Sequence, residues 1–180
     1  MSQAGWWSFE DEILQGVSKD QMRLIPRNGE HSIAWIVWHM TRCEDVTMNL
    51  LAAGSPQVLF QEGWLKRLEI NSQDTGNAMD AAELADFSAA IELEALLAYR
   101  LAVGRRTREI VKQLPEEQLN RKVDPSRLDR IRAEGAVLNT AHGLLDYWSG
   151  LTIAGLLLML PTRHNFVHWN EALRIKPKLG

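Results

Sequence analysis

One stretch decides the fold class of this 180-residue chain: HSIAWIVWHMTRCEDVTMNLLAAG, residues 31–54. Its apolar residues recur every three or four positions, which is the period of an α-helix. Ser32 is typical of an N-cap and Gly54 of the residue that follows a helix, so we expect one long helix between them. The predicted apolar stripe of this helix comprises Ile33, Ile36, Val37, Met40, Thr47, Leu50 and Leu51.

The same spacing recurs through the rest of the chain, whereas alternating β-branched residues are scarce. Three further long helices are expected: Trp6–Leu24, Ala82 or Ser88 to Leu114, and Thr152–Ile175. Each ends before a proline, and Pro161 inside the last one predicts a kink. A long connection over residues 55–82, anchored by Phe60 and Trp64, and short helices over residues 116–148 complete the prediction.

Composition agrees with an ordinary globular protein. The chain is 46% hydrophobic and 24% charged, and its length suits a single domain over residues 1–180 with a core of its own. Four principal helices in such a domain predict an all-α, four-helix bundle with short extra helices in the connections. A net charge of −3 argues against a nucleic-acid-binding protein, because such proteins neutralise phosphates with basic residues.

The compartment is expected to be the cytoplasm. Cys43 is the only cysteine, so no intrachain disulfide can form. The longest apolar stretch, over residues 151–161, is too short for the ~20 residues that a membrane span needs. We therefore expect no membrane association.

Three histidines carry the chemistry that the sequence suggests. His39 follows Ile36 by three residues and is expected to face the interior beside the apolar stripe. His164 and His168 are four residues apart, so their side chains project from the same face of the last helix. If the two helices pack side by side, the three rings can share one metal ion. Three imidazoles leave a coordination position open, which is the pattern of catalytic sites.

Two segments resemble the DinB/YfiT-like superfamily of metalloenzymes. Residues 31–54 look like that family's second helix, where an apolar run ends in one ligand histidine. The segment TIAGLLLMLPTRHNFVHWNEALRI, residues 152–175, is similar to its last helix, where an apolar opening leads to HxxxH. The resemblance implies a four-helix bundle of the up-down-down-up type. It also implies that His39, His164 and His168 bind one divalent metal ion, such as zinc, nickel or iron.

Members of that family include low-molecular-weight thiol S-transferases of the bacillithiol type and a mycothiol-dependent isomerase. The resemblance therefore implies a metal-dependent enzyme, like a thiol S-transferase or a hydrolase, that acts on a small molecule such as a low-molecular-weight thiol. We also expect a homodimer. The alternative is a non-catalytic helical module for dimerisation or binding that holds no metal.

Glu171 is the one candidate catalytic residue besides the histidines. It follows His168 by three residues and therefore faces the same way. It is expected to act as a general base or to orient an imidazole, unless it is a surface carboxylate. Where the family usually has glycine and glutamine after HxxxH, this chain has Asn170 and Glu171. A second possible site would join His39 to His142 and Asp146, which form another i, i+4 pair.

Other residues near His39 receive plainer interpretations. Glu44 and Asp45 are expected to be solvated, although one of them could pair with Arg42 or Arg163. Cys43 is expected to be a small core residue rather than a nucleophile activated by His39. His31 is expected to be exposed. The sequence leaves open whether Trp35, Trp38 and Trp169 wall a pocket over the metal, pack the core or form a dimer interface.

Overall fold

A computed structural model of the chain describes residues 8–27 and 30–180, apart from the side chain of His142. These residues form helices and turns without a strand. The α-helices are α1 Phe9–Leu14, α2 Lys19–Arg23, α3 Ile33–Asp45, α4 Trp64–Leu68, α5 Ala81–Ala90, α6 Leu93–Gln113, α7 Pro125–Ala133, α8 His142–Ser149, α9 Ile153–Leu158 and α10 Asn165–Ile175. Two π-helical segments, Val46–Ala53 and Met159–His164, continue α3 and join α9 to α10. None of the described helices combines the length and apolar character needed to cross a membrane.

The helix predicted between Ser32 and Gly54 is confirmed at both ends. The hydroxyl of Ser32 accepts a hydrogen bond of 3.0 Å from the backbone amide of Trp35, which satisfies one donor of the first turn. Gly54 adopts a left-handed conformation with φ of 67°, which ends the helix at little steric cost.

This central helix is buried on all sides rather than along one stripe. Every residue of α3 is buried, because α2, α5, α6, α10 and the segment Met159–His164 all pack against it. The expectation that Glu44 and Asp45 are solvated is therefore wrong: both carboxylates lie in the interior. Sequence periodicity missed this because the polar residues of α3 interrupt the apolar pattern although they too are covered.

Asp45 is the most heavily bonded of these buried polar residues. It pairs with Arg42 at 3.0 Å, and neither side chain has exposed surface. Its carboxylate also accepts hydrogen bonds from the Tyr99 hydroxyl at 2.6 Å and from the backbone amides of Val58 and Leu59 at 2.8 and 3.0 Å. One carboxylate thus joins α3 to α6 and to the connection that follows the π-helical segment.

Two of the predicted helices are divided. The predicted Trp6–Leu24 helix begins outside the described residues, and the described part breaks into α1 and α2 at Gly16, where φ is 76°. The predicted third helix breaks into α5 and α6 at Glu92. There the backbone amide of Glu92 donates to the Leu68 carbonyl at 3.0 Å, and its side chain caps α6. A tertiary contact that sequence alone cannot supply makes this second break.

The long connection and the last helix largely follow prediction. Trp64 is buried in the core, but Phe60 is 43% exposed and does not anchor the connection. The last helix begins at Thr152 as predicted, and the structure shows that the Thr152 side chain caps it. Around Pro161 the chain adopts the π-helical segment Met159–His164, whose wider turn holds more residues than an α-helical turn. Because His164 is the last residue of this segment, the π-helical turn sets the direction in which the His164 side chain projects.

Two apolar clusters meet along the central helix. The first contains Trp35, Trp38 and Met40, together with Trp169 of α10. The second begins at Cys43 and continues with the π-helical segment Val46–Ala53 and with α9. His39 therefore lies where one cluster gives way to the other.

The buried ion pair leads to a stability prediction. Replacing Asp45 by asparagine should lower the free energy of unfolding by about 3–5 kcal/mol, because the Arg42 guanidinium would lose the carboxylate with which it pairs in the interior. Asp129→Asn is the matched control: it breaks the exposed pair with Arg132 and should cost less than about 1 kcal/mol. Urea unfolding of both variants measures the difference, and equal losses would contradict the prediction.

Candidate metal centre

The structure brings together the three histidines that the sequence singled out. The ring centroids lie 5.0 Å apart for His39 and His164, 4.7 Å for His39 and His168, and 4.6 Å for His164 and His168. Nε2 of His39 lies 3.2 Å from Nε2 of His164. Residues 125 positions apart in sequence thus meet because α3 packs against the end of the second π-helical segment.

Acceptors behind two of the rings fix their orientation. Nδ1 of His39 donates to the Thr75 carbonyl at 2.7 Å, and since a carbonyl only accepts, Nε2 of that neutral ring carries the lone pair. Nδ1 of His168 lies 2.9 Å from Oε2 of Glu171 and donates to this carboxylate, so Nε2 is the nitrogen of His168 that could bind a metal ion. Acceptors of this kind commonly stand behind metal-binding imidazoles.

Burial keeps two of the rings neutral. Burial, together with the neighbouring His164, lowers the pKa of His39 to about 3 against the opposing effect of the Thr75 carbonyl. Burial likewise lowers the pKa of His164 to about 4, with His168 adding to the effect and Asn165 opposing it. Nδ1 of His164 is buried without a hydrogen-bond partner among the described residues. Neutral imidazoles are the form that binds metal ions.

Cys43 forms a possible metal-binding group with His39 and His164, and among the described residues His168 does not belong to this group. Ligand atoms of His39, Cys43 and His164 all lie within 4.8 Å of one another, so these three side chains could hold a metal ion. The thiol is buried as expected, and burial raises its pKa, although the charge of Arg42 opposes the increase. Its Sγ lies 3.9 Å from both ring nitrogens of His39, so it is no nearer to Nε2 than to Nδ1.

Glu171 joins His168 to a residue that the sequence placed in solvent. Its other oxygen, Oε1, accepts from Nδ1 of His31 at 2.7 Å. His31 is therefore not exposed as expected, since its side chain is only 35% accessible. Burial by itself would raise the pKa of Glu171, but the hydrogen bonds from His168 and His31 outweigh it and lower the pKa to about 2. Glu171 is thus an ionised acceptor whose two oxygens are both engaged.

A stack of rings explains why His31 belongs to the site. His31, Trp35 and His39 follow one another at intervals of four residues across the start of α3. The Trp35 ring lies 3.9 Å from His31 and 4.7 Å from His39, with interplanar angles of 11° and 3°. The i, i+4, i+8 spacing of these residues is the sequence signal that could have identified His31. Trp38 and Trp169, in contrast, are buried in the first apolar cluster.

The second site suggested by the sequence finds little support. Asp146 is exposed on α8, and α8 contributes Leu145 and Trp148 to the second apolar cluster. The side chain of His142 lies outside the described part of the chain.

Comparison with known proteins supplies a family and a fold. A family model described as the DinB superfamily matches residues 11–145, a range that includes His39 and Cys43 but ends before His164. A solved structure described as a conserved protein from Enterococcus faecalis is similar, with a TM-score of 0.65 and 18% identity. The alignment covers 95% of this chain and 88% of that one, and at this identity it shows a common fold alone. No curated protein is detectably similar in sequence.

The lowered histidine pKa values predict how stability depends on pH. Because the pKa of His39 and of His164 is lower in the fold than the ~6.5 of an unfolded chain, the unfolded state takes up more protons below that pH. Stability of the metal-free protein should therefore fall between pH 7.5 and pH 5, by roughly 1–2 kcal/mol for each of the two residues. Urea unfolding with a chelator present measures this. In a His164→Asn variant the loss of stability between pH 7.5 and pH 5 should be smaller by the contribution of His164. A loss equal to that of the wild-type protein would contradict the prediction.

Proposed function

The chain belongs to the DinB superfamily, and we propose that it is a divalent-metal-dependent enzyme that acts on a small molecule at His39, His164 and His168. The observation that carries this proposal is the 3.2 Å approach of Nε2 of His39 to Nε2 of His164. Two nitrogens that share a tetrahedral zinc ion at about 2.0–2.1 Å lie about 3.3 Å apart. The distance therefore fits two ligands of one ion.

His168 is proposed as the third ligand, in preference to Cys43. Its Nδ1 is hydrogen-bonded to an ionised carboxylate. This contact orients the ring and makes Nε2 a stronger electron-pair donor to a metal ion. The Cys43 thiol, in contrast, would have to lose its proton in an interior that raises its pKa. Its position beside the His39 ring, equally far from both nitrogens, also does not favour Nε2.

The chain's own residues would orient the ligands and exclude water. A divalent ion held there supplies Lewis-acid chemistry, which turns a small thiol or water into a nucleophile near neutral pH. The Thr75 carbonyl and the Glu171 carboxylate hold two of the imidazoles in the tautomer that ligation requires. Trp35 covers one face of His39 and keeps bulk water from that side.

Glu171 is proposed to orient His168 rather than to act as a general base. Both of its oxygens are engaged by Nδ1 atoms, and a carboxylate with a pKa of about 2 accepts protons weakly. His31 is then proposed to position Glu171, since its Nδ1 donates a hydrogen bond to the carboxylate oxygen that His168 does not contact.

Thiol transfer is the reaction class that we favour, on the resemblance to thiol S-transferases; hydrolysis is the second. We also propose that four helical units form the up-down-down-up bundle. These units are α1 with α2, α3 with its π-helical continuation, α5 with α6, and α9 with α10. The homodimer stays a prediction, and among the described residues Phe166 and Val167 are exposed apolar side chains available to such a contact.

The alternative is the non-catalytic module, and one observation also favours it. A separation of 3.2 Å fits a direct N–H···N hydrogen bond from His164 to His39 as well as it fits two ligands. Metal content separates the two functions, because a module of this kind would contain none.

Metal content is the first test. The purified protein is expected to hold about one divalent ion per chain, measured by elemental analysis, and His164→Ala and His168→Ala should each lose it. Cys43→Ala is the matched control: it removes the other potential ligand and should keep the metal. Negligible metal in every protein would favour the module, and metal loss in Cys43→Ala alone would replace His168 by Cys43 in the site.

The proposed role of Glu171 gives a second test. Glu171→Gln keeps the shape of the side chain but removes the charged acceptor, so zinc affinity should fall by about 10–100-fold. Competition with a chromogenic chelator measures that affinity. His31→Gln leaves the bond between Glu171 and His168 in place and should have a smaller effect. Unchanged zinc affinity in Glu171→Gln would contradict the assigned role.

Activity is tested with a generic thiol and a chloronitroarene. The sulfur forms a bond to the arene carbon, chloride leaves, and the thiol proton passes to the buffer. Metal-loaded protein should accelerate this reaction and His168→Ala should not. Equal rates with both proteins would count against thiol transfer.

A further inference from the structure

The direction of the His39 ring depends on a loop that has no helix of its own. Residues 69–80 connect α4 to α5, and the carbonyl of Thr75 in this loop accepts the hydrogen bond from Nδ1 of His39. A displacement of that carbonyl would release the ring or favour its other tautomer. Whatever holds the loop therefore holds the proposed metal ligand.

Arg42 holds the loop two residues before Thr75. Its Nε and one terminal nitrogen both donate to the Gln73 carbonyl, at 3.1 and 2.6 Å. Among the described residues, the other hydrogen bonds within 71–77 join loop residues to one another or to Met79. The hydrogen bonds that join residues 71–77 to the rest of the described protein therefore come from two residues of α3, His39 and Arg42, while Ile70 and Met79 add apolar packing.

Arg42 is itself fixed from the opposite side. It is fully buried, and its remaining donors bond the Asp45 carboxylate at 3.0 Å, the Tyr99 hydroxyl at 3.0 Å and the Gln57 side-chain oxygen at 2.6 Å. The planar guanidinium makes all of these contacts at once, which the point charge of a lysine cannot do. The position of the Gln73 carbonyl is therefore set by a rigid group.

Gly76 presses the same loop against the aromatic stack. Its φ is 78°, and a Cβ atom built there would lie 2.8 Å from Nε1 of Trp35. Any larger residue would have to push the loop away from Trp35, which lies parallel to His39 at 4.7 Å. Thr75 is thus held between the contact of Arg42 with Gln73 and the contact of Gly76 with Trp35.

We propose that Arg42 is a positioning residue of the candidate metal centre: through the Gln73 carbonyl it places the Thr75 carbonyl, which keeps Nε2 of His39 directed at His164. His39 and Arg42 are three residues apart on one rigid helix, so the ligand and the support of its acceptor move together. The part of this inference that concerns metal rests on the proposed function; the part that concerns the ring does not.

The test compares Arg42→Lys with Tyr99→Phe. Both variants weaken the same buried network, but only the first removes the forked contact with the Gln73 carbonyl. In the metal-free protein, nitrogen NMR of His39 should show a loss of the Nδ1–H tautomer in Arg42→Lys but not in Tyr99→Phe. Zinc affinity should fall by about 10–100-fold in the first and stay near wild type in the second. An unchanged tautomer in Arg42→Lys, or equal changes in both variants, would overturn the proposal.

A second pair of variants keeps the test decisive if Arg42→Lys does not fold. Gly76→Ala should displace the Thr75 carbonyl and change the His39 tautomer and the zinc affinity in the same direction. Gly63→Ala is its control, because Gly63 has a similar φ of 69° but no atom within 4 Å of a built Cβ. A wild-type tautomer in Gly76→Ala would refute the proposal. If the wild-type protein binds no zinc at all, the proposed function fails, whereas the tautomer comparison still decides the role of Arg42.

Discussion

Complete burial of α3 is the constraint on which the rest of the structure depends. A buried helix of apolar residues alone would need nothing more than complementary packing, but this one carries Arg42, Glu44, Asp45 and His39 into the interior. A buried charge without a partner costs several kcal/mol, so the elements that cover the charged residues of α3 have to provide hydrogen bonds as well as apolar surface. Tyr99 on α6, Asn165 on α10 and the connection after Gly54 each supply some of them.

The same requirement produces the geometry of the candidate site. The carbonyl that receives Nδ1 of His39 belongs to a loop that the buried guanidinium of Arg42 also binds. Stability and function therefore share one set of contacts at this end of α3. Loss of the contact between Arg42 and the Gln73 carbonyl should disturb the histidine before it unfolds the protein, since residues 71–77 make few other hydrogen bonds to the core.

The orientation of His168, on the other side of the site, depends on different contacts. His168 is oriented by a carboxylate from its own helix, and that carboxylate is fixed in turn by His31, which stacks on Trp35. At a position close to where the resembling family usually has glycine and glutamine, Glu171 supplies a full negative charge. A charged acceptor strengthens the electron donation of the imidazole it binds, and so favours a tightly held divalent ion.

The sequence by itself determined that the chain is helical, where the central and last helices begin and end, and that His164 and His168 share a face of the last helix. These follow from local physics: apolar periodicity, the caps at Ser32 and Gly54, and the 100° rotation per residue that puts His164 and His168 on one face. Tertiary structure alone decided that Glu44 and Asp45 are buried, that the third helix breaks at Glu92, and that Arg42 binds the loop behind His39. Each of these depends on atoms far away in sequence, such as the Leu68 carbonyl or the Tyr99 hydroxyl. Contacts between distant residues produce no periodic pattern in the sequence, so periodicity cannot predict them.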